Sequence, residues 1–83
     1  MEAKKRTNSD KKDLLSLGVR IRSLIQLNGY ASPYEFWLEH GDECISRSNL
    51  NYLINGQTDP KLTTILKLSA ALGLSPSELL QDF

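Results

Sequence analysis

The middle of the chain carries a group of hydrogen-bonding side chains at helical spacing, and its members are Arg47, Ser48, Asn49 and Tyr52. Leu50 and Leu53 in the same segment have the spacing of a buried helix face, which leaves the polar group on the outer face. Guanidinium, hydroxyl and amide groups are those that hydrogen-bond base edges and phosphates when a short helix lies in the major groove of DNA. A surface helix that only needs to be soluble more often carries Glu and Lys. The segment therefore predicts a DNA-reading helix.

The helix-start and helix-end signals around this segment predict the elements that must position it. A hydroxyl or carboxylate side chain followed by proline is typical of a helix start, and residues 32–33, 59–60 and 75–76 have this pattern. Glycine follows three of the periodic segments, as expected at helix ends. No segment alternates with the period of two that a strand requires. We therefore expect an all-α bundle of five helices, over residues 10–28, 32–39, 46–55, 59–73 and 75–81.

Length and composition limit the class of protein. Eighty-three residues make one domain with a single modest core. No apolar run approaches the roughly 18–20 residues of a membrane span, and the N-terminal residues lack a signal-peptide core. Cys44 is the one cysteine and cannot form an internal disulfide, so nothing requires an oxidising compartment. We expect a cytoplasmic protein.

Net charge is zero, which argues mildly against a nucleic-acid partner. Its distribution weakens that objection, since residues 1–13 hold five basic and three acidic side chains. We expect residues 1–9 to be a flexible basic arm whose Lys4, Lys5 and Arg6 wrap a duplex; a solvated tail is the equally weighted alternative. Residues 10–83 are then the folded domain.

Four separated segments resemble the Xre / Cro–cI family of phage and bacterial helix-turn-helix regulators, which have the lambda-repressor-like fold. The resemblance extends over about residues 14–82. The order and spacing of the four segments together are specific to the family, although each segment alone is weak evidence for it. The segments are residues 17–22 (LGVRIR), 45–50 (ISRSNL), 53–62 (LINGQTDPKL) and 66–80 (LKLSAALGLSPSELL).

The resemblance implies that the helices have different roles in binding DNA. Residues 32–39 would cross the DNA backbone and residues 46–55 would be the recognition helix, with the base contacts falling on Arg47, Ser48, Asn49 and Tyr52. The C-terminal residues Leu79, Leu80 and Phe83 would form a dimer contact or, alternatively, only close the bundle. The phosphate contacts implied are Ser32, Tyr34, Ser46, Asn55, Gln57, Thr58 and Lys61.

Other chemistry is poorly supported. The sequence has a single histidine, His40, and a single cysteine, Cys44. A zinc site needs three or four ligands, so we expect no metal and no cofactor. His40 is expected to pack against or to cap the end of the second helix, and Cys44 to fill a small apolar gap under the turn. There is no nucleophile–base set and no glycine-rich phosphate loop, which argues against an enzyme.

Two functions remain open from the sequence. The first is a sequence-specific DNA-binding transcriptional repressor that binds a pseudo-palindromic operator as a homodimer. The second is a lambda-like bundle used as a protein–protein interaction module, of the antitoxin or regulatory-adaptor type. The turn before the third helix is about three residues longer than the family's, with Asp42, Glu43 and Cys44 as the insertion. Acidic side chains dominating the face beside that helix would favour the protein partner.

Overall fold

The computed structural model describes residues 8–41 and 44–83, and in these residues every regular element is a helix. The predicted all-α class with five helices is confirmed. A π-helical segment, Trp37–Gly41, directly continues the second helix. The five helices are α1 (Asn8–Leu27), α2 (Pro33–Phe36), α3 (Arg47–Ile54), α4 (Leu62–Ala71) and α5 (Pro76–Leu79).

One apolar core lies between the helices. α1 contributes three residues spaced by four, Leu17, Ile21 and Ile25, so one stripe of the helix is buried. Phe36 of α2 is completely buried beside them. α3, α4 with its C-terminal cap, and α5 contribute the remaining core side chains. These are Leu50 and Leu53 from α3, Ile65, Leu68 and Leu72 from α4 and its cap, and Leu79 from α5. Every helix therefore has a face fixed against this core. Among the described residues, no helix is both long and apolar enough to cross a membrane.

Local capping chemistry sets most of the predicted boundaries. Ser75 and Glu78 form a reciprocal capping box at α5, in which each side chain accepts a hydrogen bond from the other residue's backbone N–H. Ser46 caps α3 by accepting from the backbone N–H of Asn49 at 3.2 Å. Gly56 follows α3 with φ of 70°, a left-handed conformation that favours glycine. The limits of α3 therefore follow from its own sequence.

Other boundaries differ from the sequence prediction. α1 begins at Asn8, inside the segment expected to be a flexible arm. α4 begins at Leu62 instead of Asp59, because the chain stays extended through Lys61, whose φ is −67° and ψ 153°. Lys61 is then the N-cap and makes no side-chain capping bond. The cap-then-proline pattern at residues 59–60 therefore belongs to the loop before α4, and the prediction of a helix start there was wrong.

The second helix also differs from its prediction. Only Pro33–Phe36 is α-helical, and the chain then widens into the π-helical segment through Gly41. Ser32 caps α2 as predicted, accepting from the backbone N–H of Glu35. The Glu35 carboxylate instead accepts from the backbone N–H of Ala31 at 2.7 Å, one residue before the cap. The reciprocal bond of a standard capping box is therefore displaced by one residue.

Candidate nucleic-acid interface

α3 presents its polar residues on an exposed face, as the sequence predicted. Leu50 and Leu53 are turned into the core, and the N-terminus of the helix is fixed by the Ser46 cap. No acidic residue occurs in α3, so nothing on this helix itself repels phosphate. The outward group consists of Arg47, Ser48, Asn49 and Tyr52, all of them exposed. This face offers both donors and acceptors for base edges.

The residues predicted to contact phosphate surround α3 at its two ends. Tyr34 is exposed at the start of α2, and Ser32 beside it is half-buried. Two hydroxyls, those of Ser32 and Ser46, accept capping hydrogen bonds and keep their O–H available as donors. Beyond the other end of the helix, Thr58 is half-buried, and the exposed members are Asn55, Gln57 and Lys61.

The loop before α4 lies beside α3. A cavity of about 250 Å³ separates them and is lined by Asn49 of α3 together with Asp59 and Lys61 of the loop. One acidic and one basic side chain therefore flank α3 on this side. Asp42 and Glu43, the other acidic candidates, lie outside the described residues.

Arg47 does not extend freely from α3. Its guanidinium carbon lies 4.4 Å from the centre of the Tyr34 ring, which belongs to α2. Tyr34 in turn stacks on Trp37, with ring centres 6.2 Å apart and planes inclined by 21°. Trp37 is half-buried and packs against the core. This stack could not be predicted from the sequence, because only the folded chain brings α2 against α3.

A polar cluster lies at the end of the π-helical segment. The Tyr30 hydroxyl donates to the Glu39 carboxylate and lies 3.0 Å from His40 Nε2. The hydrogen bond with Glu39 raises the pKa of Tyr30. His40 packs against Phe36, with ring centres 5.4 Å apart, in the packing role expected of it. In the described ranges, no three histidine, cysteine, aspartate or glutamate side chains converge as metal ligands would.

Cys44 packs against the core beside α4, where its thiol lies 3.6 Å from the carbonyl oxygen of Lys67. This position agrees with the expectation that Cys44 fills an apolar gap. The arm residues Lys4, Lys5 and Arg6 lie outside the described residues.

The C-terminal residues predicted to form a dimer contact divide into two groups. Leu79 is completely buried in the protomer's own core, so its prediction as an interface residue was wrong. Leu80 and Phe83 are 38 % and 53 % exposed. The Arg20 guanidinium lies 4.6 Å from the centre of the Phe83 ring and covers one side of it. Only Leu80 and Phe83 therefore present apolar surface outward here.

Comparison with known proteins agrees with this geometry. A profile of helix-turn-helix domains matches residues 41–79, which include α3, α4 and α5. The chain is also similar to a solved structure, the restriction-modification controller protein C.AhdI from Aeromonas hydrophila. The two are 34 % identical with a TM-score of 0.69, and the similarity covers 82 % of this chain and 97 % of the controller protein. No curated protein matches the chain.

Proposed function

Because the chain belongs to the Xre-type helix-turn-helix family with the lambda-repressor-like fold, we propose that it is a transcriptional repressor that reads a pseudo-palindromic operator as a homodimer. The family consists of non-enzymatic DNA-binding regulators, in agreement with the sequence prediction that the chain is not an enzyme. Beyond membership of the family, we propose that α3 reads the bases and that the protein acts as a dimer. Binding then represses transcription in the cytoplasm.

The exposed face of α3 is the observation that carries the proposal. Arg47 can pair bidentately with guanine and Asn49 with adenine, and each such pair discriminates against a wrong base by roughly 1–3 kcal/mol. Ser48 and Tyr52 complete the face with hydroxyl groups. The exposed amides of Asn55 and Gln57, beyond the C-terminal end of α3, are suited to hydrogen-bonding DNA phosphates.

The basic footprint of the proposed interface is small. Arg47 and Lys61 are its exposed cations, and Asp59 lines the same cavity as Lys61. Few phosphate contacts give modest affinity, so two half-sites bound together are needed for useful occupancy. A homodimer supplies both, with half-sites about one helical turn, roughly 34 Å, apart. Repression follows if the operator overlaps a promoter and the dimer excludes polymerase.

Selection from fragmented host DNA tests the proposal. The fragments should include the regions upstream of any restriction and modification genes, because the similar controller protein belongs to such a system. The purified protein is compared with the double variant Arg47→Ala/Asn49→Ala. A matched control, Arg22→Ala/Gln26→Ala, removes the same charge and a similar amide from exposed positions of α1.

The proposal expects one enriched motif with two-fold symmetry, retained by the α1 control and lost by the α3 variant. A reporter promoter containing that motif should then be silenced by the protein. Equal enrichment by all three proteins would mean that α3 does not read bases. Enrichment of no motif would favour the protein–protein interaction module instead.

A further inference from the structure

The Arg47–Tyr34–Trp37 stack has a fixed order. The Arg47 guanidinium lies over one face of the Tyr34 ring, and the Trp37 ring stacks against Tyr34 with the two planes inclined by 21°. A guanidinium that lies within about 6 Å of the centre of an aromatic ring is attracted electrostatically to the face of that ring. Tyr34 is exposed, whereas Trp37 is half-buried against the core. The stack therefore runs from the core outward to the tip of α3.

Trp37 is anchored by the irregular backbone around it. Its indole N–H donates to the carbonyl oxygen of Ile45 at 3.0 Å, which connects the π-helical segment to the residue before the α3 cap. Gly41 is buried directly beneath the indole, and a Cβ there would overlap the Cδ1 and Cγ atoms of Trp37. Glycine at this position therefore lets the ring lie flat against the backbone.

The stack leaves the hydrogen-bonding groups of Arg47 available. A guanidinium that stacks through its face keeps its N–H donors in the plane, at the edge. Among residues 8–41 and 44–83, no carboxylate oxygen lies within salt-bridge distance of Arg47. The side chain is thus held in orientation by contact with a ring.

We propose that Tyr34, supported by Trp37, is a positioning residue that holds Arg47 for base recognition and thereby determines specificity at one base pair. This inference rests on the proposed DNA-reading function of α3. An unrestrained arginine reaches phosphates of any sequence, whereas a guanidinium already held in one plane presents its two donors to a guanine edge. Tyr34 acts through Arg47, in contrast to the phosphate contact that the family resemblance implied.

Binding measurements on two DNA sequences separate these roles. The selected operator is compared with a version changed at the base pair whose preference Arg47→Ala abolishes. Tyr34→Ala should lower discrimination between the two DNAs by about two- to fivefold, the range of an exposed cation–π contact. Tyr34→Phe keeps the ring and should retain the discrimination. Because Tyr34 acts through Arg47, adding Tyr34→Ala to Arg47→Ala should change discrimination no further.

The outcomes distinguish the inference from the function on which it rests. If Tyr34→Ala weakens both DNAs equally, and does so again in the Arg47→Ala background, Tyr34 contacts phosphate and the inference is overturned. If Arg47→Ala itself changes no base preference, Arg47 does not read a base, and the inference fails together with that part of the proposed function. Circular dichroism of each variant checks that the helices are intact.

NMR of the DNA-free protein gives a second readout. A guanidinium held over a ring experiences ring-current shielding, so the Arg47 Cδ protons should resonate upfield of their ordinary position. The upfield shift should persist in Tyr34→Phe and disappear in Tyr34→Ala. Ordinary shifts in the unaltered protein would mean that Arg47 is not held before DNA arrives, which would overturn the inference.

Discussion

Gly18 of α1 lies against the backbone carbonyl of Ile54 at the end of α3. A Cβ at Gly18 would sit 2.7 Å from the carbonyl oxygen of Leu53 and closer still to that of Ile54. Both neighbours are backbone atoms of a helix and cannot move aside as a side chain would. α3 therefore packs directly on the backbone of α1, and this close approach sets how far α3 extends from the bundle.

Gly18→Ala should lower the free energy of unfolding by about 2 kcal/mol, because the added methyl group forces the two helices apart. The higher helix propensity of alanine compared with glycine offsets only part of that cost. Ser16→Ala, at an exposed position of the same helix, is the control and should be nearly neutral. Urea unfolding measures both variants, and equal midpoints would contradict the close approach.

Arg47 and Lys61 should have separable effects on DNA binding. Arg47→Ala should cost roughly 1–3 kcal/mol and relax preference at one base position. Lys61→Ala should weaken all sequences alike and lower the salt dependence of log K by about one. Titrations of operator and random DNA at several salt concentrations measure the two effects. Equal losses on both DNAs for Arg47→Ala would refute its role in reading bases.

The capping box of α5 should make stability depend on pH. Hydrogen bonds from the backbone N–H and the hydroxyl of Ser75 lower the pKa of the Glu78 carboxyl in the folded protein. The resulting stabilisation is fully present above the ordinary glutamate pKa of about 4.3. It is lost as the pH falls below that value through the lowered pKa, because both the folded and unfolded chains then bind the proton.

Glu78→Gln keeps the acceptor and removes the charge, so it tests this contribution. The unaltered protein should be more stable than the variant at pH 7, and the difference should shrink as the pH falls below about 4. Thermal unfolding across that range measures it. Parallel curves for the two proteins at every pH would show that the carboxylate charge contributes nothing.

Arg20 connects α1 to the C-terminal residues. Its guanidinium donates to the carbonyl oxygens of Leu79, at 3.1 Å, and Gln81, and it also lies over Phe83. Arg20→Lys keeps the charge but loses the planar fork, so it should lower stability by about 1 kcal/mol, or about 4–8 °C in Tm. Arg22→Lys is exposed on the same helix and should change little. Identical Tm values for the two variants would exclude this role.

The proposed dimer surface can be tested at adjacent leucines. Leu80→Asp should weaken self-association by about tenfold or more while the fold remains intact, because Leu80 is exposed in the protomer. Leu79→Asp should instead unfold the chain, since it would bury a charge in the core. Leu27→Asp, at an exposed apolar position of α1, is the control. Sedimentation velocity reports the association, and unchanged behaviour of Leu80→Asp would place the dimer surface elsewhere.

The burial of the two C-terminal leucines could not be predicted from the sequence. Leu79 and Leu80 are adjacent and chemically identical, so their pattern alone could not distinguish core from surface. The difference arises because α5 packs against α4 and turns one leucine inward. Likewise, the proline at residue 60 resembled a helix start, yet the extended backbone through Lys61 delayed α4 until Leu62.

By itself, the sequence determined the number and order of the helices, the caps at Ser46 and Ser75, and the outward polar face of α3. These features depend on residues within a few positions of one another, where hydrogen-bonding and helical periodicity act locally. Tertiary structure alone decided that Tyr34 lies beneath Arg47 and that Gly18 meets Ile54. Those contacts join separate helices, and their geometry depends on how the whole core packs.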